Sequence, residues 1–364
     1  LFSFFIYPFA TLLITVNGFL AVILLKVVTL FASVPLASIY LSTPTALEVI
    51  LFYLLLFSLA HFRRGRRVKY LFLGICVLFA FDLAYWNLKD LFRKDLTITF
   101  IDVGHGDCIL IEFPKGKRML IDGGGLHEGR FDIGKNVIAP FLWKKKIRRI
   151  DTLVLTHPDP DHQKGLNFIA SQFSIGQFWD NGIRGDSESY LLLEKTLQKR
   201  KIERYSLNED TNPRMINGVE VSVLNPPTLR ANRVSHRNPT LLNNQSLVMR
   251  LRFNEIVVLL TGDVEKEAEE RMVRKAYPLR AHILKVPHHG SSSSSSSIFL
   301  ERVKPLYAIL SVGERNIGRL PRPEVIERHE RLGSKIFRTD RHGAITVKTG
   351  GEKVEIKTFL KGDD

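Results

Sequence analysis

Apolar residues fill positions 1–25 without a charge, LFSFFIYPFATLLITVNGFLAVILL. A run of about 20 such residues is long enough to cross a bilayer as a helix. Two further apolar runs follow, roughly Leu47–Phe62, with Glu48 at its start, and roughly Tyr70–Trp86. Between the first two, Val27–Thr45 is broken by Pro35 and Pro44 and diluted by Ser and Thr. That stretch reads as an interfacial or re-entrant segment. Three such runs in succession suit lipid better than the inside of a soluble protein. The first lacks the basic leader and small-residue exit of a signal peptide. About three transmembrane helices are therefore expected over 1–94. The chain opens at Leu1 inside an apolar run, so it reads as a piece of a longer protein, with the missing N-terminal part a partner of what is present.

From Asp95 the pattern changes, and apolar runs of strand length alternate with turns. Ile98–Val103 leads into Gly104-His105-Gly106-Asp107, and Met119–Ile121 into Asp122-Gly123-Gly124-Gly125. Thr152–Leu155 leads into Thr156-His157-Pro158-Asp159-Pro160-Asp161-His162. Ile256–Leu260 leads into Thr261-Gly262-Asp263, and His282–Val286 into Pro287-His288-His289-Gly290. Cys108–Phe113 and Leu306–Val312 are further strands. Again and again a strand ends in a loop that carries Asp or His, which gathers polar side chains at one edge of a sheet. Helices fit between: Gly165–Ser171, Ser189–Lys199, Pro323–Leu332, and Val264–Ala276 with Asp263 as its cap. The seven serines Ser291–Ser297 read as a flexible loop at the rim of that edge. The region 95–364 is thus an α/β domain.

Composition narrows the classes. With 364 residues, 45% of them hydrophobic, the chain is neither disordered nor collagen-like. Its two cysteines, Cys76 and Cys108, exclude a disulfide framework and a Cys-rich zinc site. Five basic residues within Arg63–Lys69 mark that loop as cytoplasmic under the positive-inside rule. The third run then leaves the cytoplasm. The expected location is the inner or plasma membrane, multi-pass, with the soluble domain extracytoplasmic.

His157, Asp159, Asp161 and His162 put four potential ligands within six residues of one loop. Imidazole suits zinc and manganese, and carboxylate oxygen suits manganese and magnesium. Crowded together they would repel and titrate badly without a cation. The competing reading is a polar turn of chance composition. Asp263 and the pair His288–His289, each after a later strand, weigh against it. Together these seven side chains suffice for two divalent ions sharing a carboxylate, a clamp suited to phosphoryl hydrolysis.

The set Thr156-His157-x-Asp159-x-Asp161-His162 with Gly165 resembles the metal motif of the metallo-β-lactamase superfamily. Leu260-Thr261-Gly262-Asp263 resembles its bridging-aspartate strand, and Val286-Pro287-His288-His289-Gly290-Ser291 its late histidine. Phe100–Asp107 and Leu120–Gly124 resemble the opening of one branch, the C-terminal domain of the ComEC competence proteins, bacterial DNA-uptake channels. The resemblance covers essentially the whole chain. It implies an αββα metallo-β-lactamase-like sandwich over 95–364, behind the end of a polytopic channel region. It also implies uptake of one DNA strand, with the soluble domain degrading the other, beside other competence-machinery proteins and membrane lipid.

By the same resemblance His157 and Asp159 would hold one metal, Asp161 and His162 a second, and Asp263 would bridge. His289 is favoured as the late ligand, with Asp161 and His288 facing the scissile phosphate. Asn243 would supply an amide oxygen or merely close a strand-edge turn. His105, where relatives usually carry Gln, is an extra site histidine or a tolerated turn residue. Asp102, Asp107 and Asp122 would orient ligand histidines or cap turns, and His342 serves a turn. Asp159 in place of the lactamase pattern's second histidine makes the first site oxygen-rich. It tilts the ions toward Mn²⁺ or Mg²⁺ rather than Zn²⁺.

The net charge of +15 favours a polyanionic partner, with DNA bound without base readout. Lys144–Lys146 with Arg148 and Arg149, and Lys199–Lys201 with Arg204, are basic clusters. The loop carrying Arg315, Arg319 and Arg322 is the expected substrate contact. Three readings stand: a DNA-uptake protein with a metal-dependent nuclease domain, a membrane-anchored hydrolase of a small phosphoester, and a catalytically inactive gate or DNA guide.

Overall fold

The computed structural model describes residues 2–34, 39–125, 131–228, 239–314 and 319–362. Contacts divide the chain into two compact units, 1–42 and 43–364. The first is dominated by α1 (Phe2–Ser33). Its interior hydroxyls from Thr11, Thr15 and Thr29 donate to carbonyls one turn back, so no polar group of theirs needs a partner outside the helix. The helix runs past the expected end at position 25, through the less apolar stretch up to Ser33. Pro35 lies outside the described residues.

In the second unit, α2 (Ala46–Ala60) and α3 (Arg66–Leu88) form a hairpin whose tip is the basic loop. Thr45 and Glu48 form a reciprocal capping box that starts α2 directly after Pro44. Of the three expected spans, two described segments are long and apolar enough to cross a membrane, Tyr7–Ser33 and Arg66–Phe92. At about 1.5 Å per residue the 15-residue α2 reaches only about 22 Å, short of a hydrocarbon core of about 30 Å.

Helices α2 and α3 are pinned to the domain that follows. Lys146 Nζ contacts Glu48 Oε1 at 2.7 Å and lies over the Trp86 ring. Arg93 joins Asp90 at 2.7 Å to Glu112 at 2.9 Å, and Glu112 also accepts from Lys145 at 2.6 Å. Arg149 pairs with Asp151 but stays exposed, whereas Lys145 and Lys146 are clamps rather than free surface charge. The same holds for Arg204, paired with Asp180 and Glu194, and for Arg200, which donates to the carbonyls of Ala170 and Phe173.

The domain itself is two sheets between helical layers, the αββα arrangement. One sheet has β1 (Leu96–Phe100), β2 (Ile109–Glu112), β3 (Arg118–Ile121), β4 (Arg149–Val154), β5 (Ser174–Asp180) and β6 (Glu203–Ser206). The other has β7 (Arg214–Ile216), β8 (Val219–Asn225), β9 (Val248–Phe253), β10 (Ile256–Leu260), β11 (Ile283–Lys285), β12 (Tyr307–Leu310) and β13 (Lys335–Arg338). The strands β14 (Ile345–Thr349) and β15 (Val354–Thr358) return to the first sheet, giving the orders 15-14-1-2-3-4-5-6 and 13-12-11-10-9-8-7. Strands β3 to β6 are parallel, as are β10 to β13.

The strands bury both faces, which is why they read as near-continuous apolar runs. In β2, Ile109 and Ile111 face the core between the sheets, and Leu110 faces the outer core under the helices. In β10, Ile256, Val258 and Leu260 face inward, and Val257 and Leu259 pack under the helix Lys266–Arg274. That helix begins later than expected: Glu265, not Asp263, stands at its N-cap.

The serine run is not a loose loop. Glu269, fully buried, accepts from Ser295 N at 2.6 Å and Ser296 N at 2.8 Å, and Arg328 donates to the carbonyls of Ser294 and Ser295. Burial pushes the Glu269 carboxyl up to about 7 against these hydrogen bonds. An acid raised in the folded state stabilises while protonated and destabilises as it ionises. Burial likewise pushes His329, whose two ring nitrogens have no partner, down to about 4, and this contributes stability gained as pH rises from 4 toward 6.5. Glu269 opposes that gain and lowers stability between pH 4.5 and 7. Glu269→Gln is expected to remove the falling component, on the order of 2–3 kcal/mol across that window. Urea denaturation of both proteins at several pH values reads it as a difference in slope. Parallel slopes would mean that the Glu269 carboxyl ionises normally.

Candidate metal centre

Five strand ends converge on one edge. β4 delivers Thr156 and His157. The short helix Pro160–Gln163, with Asp159 at its N-cap, then raises Asp161 and His162 on its first turn. β3 delivers Asp122, β10 delivers Asp263, and β11 delivers the histidine pair. His288 and His289 both adopt left-handed backbone (φ 48° and 54°), a conformation that costs non-glycine residues on the order of 1 kcal/mol or more. The turn after β1 lies directly against this edge. Gly106 (φ 100°) packs on the Asp161 carbonyl so closely that a Cβ would collide with it.

Atoms of Asp161, His162, Asp263 and His289 all lie within 4.8 Å of one another, and all four residues are buried. Asp263 Oδ2 is 3.2 Å from His162 Nε2 and 3.1 Å from His289 Nε2. The Nε2 atoms of His157, His162 and His289 are buried without a hydrogen-bond partner. Their other nitrogens are all engaged. His289 Nδ1 lies 2.8 Å from the Ser311 carbonyl, which can only accept, so the proton sits on Nδ1. His162 Nδ1 likewise donates to Asp122 Oδ2 at 2.8 Å. Thr156 Oγ1 donates to that same Asp122 oxygen at 2.7 Å and so accepts from His157 Nδ1 at 3.0 Å. Three Nε2 lone pairs are therefore left over, and an unmet buried acceptor costs about 1–3 kcal/mol.

The electrostatics ask for positive charge. Burial alone would push the His162 imidazole down, but the charges of Asp263, Asp122 and Asp161 outweigh it and raise it well above the usual range. Burial would raise Asp263, yet His289, His162 and Lys285 hold it well below the ordinary carboxylate range. A divalent cation meets both demands, and mixed imidazole and carboxylate donors fit zinc or manganese. Asp161, His162, Asp263 and His289 are the residues that would hold it.

The other expected residues are placed as follows. His157 lies beside this cluster, with Asp159 Oδ2 at 3.7 Å from its Nε2, and the Asp159 side chain stays 27% exposed. His105 Nε2 is 3.3 Å from Asp161 Oδ2, so this turn histidine does reach the site. Of the histidine pair, His289 joins the cluster. His288 stays partly exposed at the rim, its Nδ1 facing Ser293 Oγ at 3.3 Å and Glu265 at 3.4 Å. Asn243 donates to Glu265 at 3.0 Å and keeps a buried Oδ1 without a partner. Asp122 orients His162 and Thr156, and Asp107 is buried behind the cluster. Asp102 is not drawn in. It is exposed and accepts from Gly104 N, a turn cap. His342 caps its own turn through Arg338. Arg322 N donates to the Gly290 carbonyl at 2.9 Å, which ties its loop to the histidine turn, and Arg319 precedes it. Arg315 lies outside the described residues.

Three participants were not anticipated. Thr156 relays Asp122 to His157, and Glu265 faces His288. Lys285, fully buried, contacts Asp107 and Asp263. The signal for Lys285 was present: a lysine inside the buried run Ile283–Val286 has to be paired.

Asp122→Asn keeps the size of the side chain and tolerates the left-handed backbone there (φ 58°), but loses one acceptor. It is expected to weaken Mn²⁺ or Zn²⁺ binding about 10–100-fold, as losses of outer-shell orienting groups do. Calorimetric titration measures it. Unchanged affinity would mean that His162 and His157 are oriented without Asp122.

The sequence profile of the metallo-β-lactamase superfamily matches residues 101–314, more than half of the chain. The chain is 27% identical over 339 residues to ComE operon protein 3 of Bacillus subtilis, covering 89% of this chain and 42% of that one. It is 29% identical over 260 residues to competence protein ComA of Neisseria gonorrhoeae, covering 71% of this chain and 33% of that one. The chain thus spans less than half the length of these curated relatives. Among solved structures, the CmlA β-hydroxylase E377D mutant superposes with a TM-score of 0.46 at 14% identity, over 70% of this chain and 54% of that one. The chain belongs to the metallo-β-lactamase superfamily, in a form similar to the ComEC-type competence proteins.

Proposed function

We propose that this chain is a membrane-linked part of a DNA-uptake protein. Its sandwich domain would be a metal-dependent phosphodiesterase that degrades the strand not taken up. The observation that carries the reading is the convergence of three unpartnered, buried Nε2 atoms with the carboxylates of Asp161 and Asp263. Such a centre, loaded with divalent ions, supplies Lewis acidity and an activated water for attack on phosphorus. One ion belongs among Asp161, His162, Asp263 and His289. A second would rest on His157, Asp159 and a shared Asp263. His288, at the rim with Nδ1 turned to Ser293 and Glu265, keeps Nε2 for the leaving oxygen and its proton. Arg319 and Arg322, on the loop tied to Gly290, would face the phosphate backbone.

The hairpin supports the expected location. Glu48 at the start of α2 and Trp86 at the end of α3 both meet Lys146 of the sandwich, so the basic loop Arg63–Lys69 lies at the opposite end. With that loop cytoplasmic, the sandwich is extracytoplasmic and the protein multi-pass in the plasma membrane.

The pairing of Lys145, Lys146 and Arg204 leaves a less extended basic face than the net charge of +15 suggests. That observation keeps a small phosphoester as the second reading. The test is cleavage of single- and double-stranded DNA and of a small phosphodiester by the purified chain with Mn²⁺, Mg²⁺ or Zn²⁺. DNA cleavage is expected, reduced at least about 100-fold in Asp161→Ala and in Asp263→Ala, because each would remove a ligand of the ion that activates the water. Turnover of the small ester alone would favour the second reading. No cleavage of either with metal bound would leave an inactive gate.

A further inference from the structure

Lys285 closes the parallel strand β11 and is fully buried. An ammonium has three donors and no acceptor. Three acceptors surround this one: Asp107 Oδ2, Asp263 Oδ1 at 3.3 Å and the Gly262 carbonyl at 2.9 Å. It stands between two potential cation sites. The front one is Asp161, His162, Asp263 and His289. Behind it, Asp107, Asp122 and His162 form a second group, also fully buried, with atoms within 4.8 Å of one another.

The two groups compete for one side chain. A neutral imidazole has a single lone pair, so His162 serves the front through Nε2 only while Nδ1 carries the proton given to Asp122. A divalent ion in the rear group would take Nδ1, move the proton to Nε2 and deprive the front of a ligand. Asp107 is what would draw it there: its Oδ1 is buried without a hydrogen-bond partner, and its Oδ2 is held by Lys285. We propose that Lys285 is an internal cation that fills the rear group's need for charge and so directs the divalent ion to the front. The same contact holds Asp263 by Oδ1 and leaves Oδ2 facing the two histidines. Lys285 is thus a positioning residue, and its role rests on the metal reading above.

The experiment is Mn²⁺ affinity of the full chain by calorimetry, with Asp161→Asn introduced into the wild type and into Lys285→Met. Asp161→Asn is expected to cost at least about tenfold in the wild type, a ligand mattering no less than its outer-shell partners. In Lys285→Met it should cost less than about threefold, because the ion has moved behind. There Asp107→Asn should cost at least about tenfold instead. Equal losses from Asp161→Asn in both backgrounds would overturn the proposal. If Lys285→Met fails to fold without metal, excess Mn²⁺ is expected to restore the fold by taking the ammonium's place, and failure to do so would overturn it equally. A wild-type chain that binds no Mn²⁺, Mg²⁺ or Zn²⁺ would instead sink the metal reading itself.

Discussion

One carboxylate organises this centre. Asp122 accepts from Thr156 N at 2.8 Å, from Thr156 Oγ1 at 2.7 Å and from His162 Nδ1 at 2.8 Å. It thereby ties the end of β3 to the loop after β4 and sets the proton position of two histidines at once. Its charge then raises the demand for a cation a few Å further on. Without it the loop would keep its residues but not the direction of their lone pairs.

The wider fold serves that arrangement. Parallel strands in both sheets end at the same edge, and the side chains they deliver come from five separate stretches of chain. Burial on both strand faces makes that edge dry, which strengthens each charge interaction there. The α2–α3 hairpin is clamped to the sandwich by Glu48–Lys146 and by the chain Asp90–Arg93–Glu112–Lys145. The candidate metal centre is thereby held in fixed relation to that hairpin.

Much of this was legible in the residues. Strands read as apolar runs because both faces are buried, and each ligand sits in the loop that follows its strand. What was not legible depends on contacts distant in sequence. His288 and His289 are neighbours of identical chemistry, and only their partners, the Ser311 carbonyl for His289 and Ser293 with Glu265 for His288, separate their roles. The serine run looked unstructured because composition does not reveal that Glu269 and Arg328 tie its backbone down. The basic cluster at Lys145 and Lys146 looked like a surface for DNA because its acidic partners, Glu112 and Glu48, lie far away in sequence. Lys285 went unremarked because its two carboxylates come from different strands.

The central claim is that the three free Nε2 atoms are turned to a divalent cation. Anomalous diffraction at the manganese edge, from crystals of the chain grown with Mn²⁺, tests it most directly. The account predicts a peak about 2.1 Å from the Nε2 atoms of His162 and His289, within reach of Asp161 and Asp263. A peak bound to His162 through Nδ1, or only at the exposed Asp159, would contradict it.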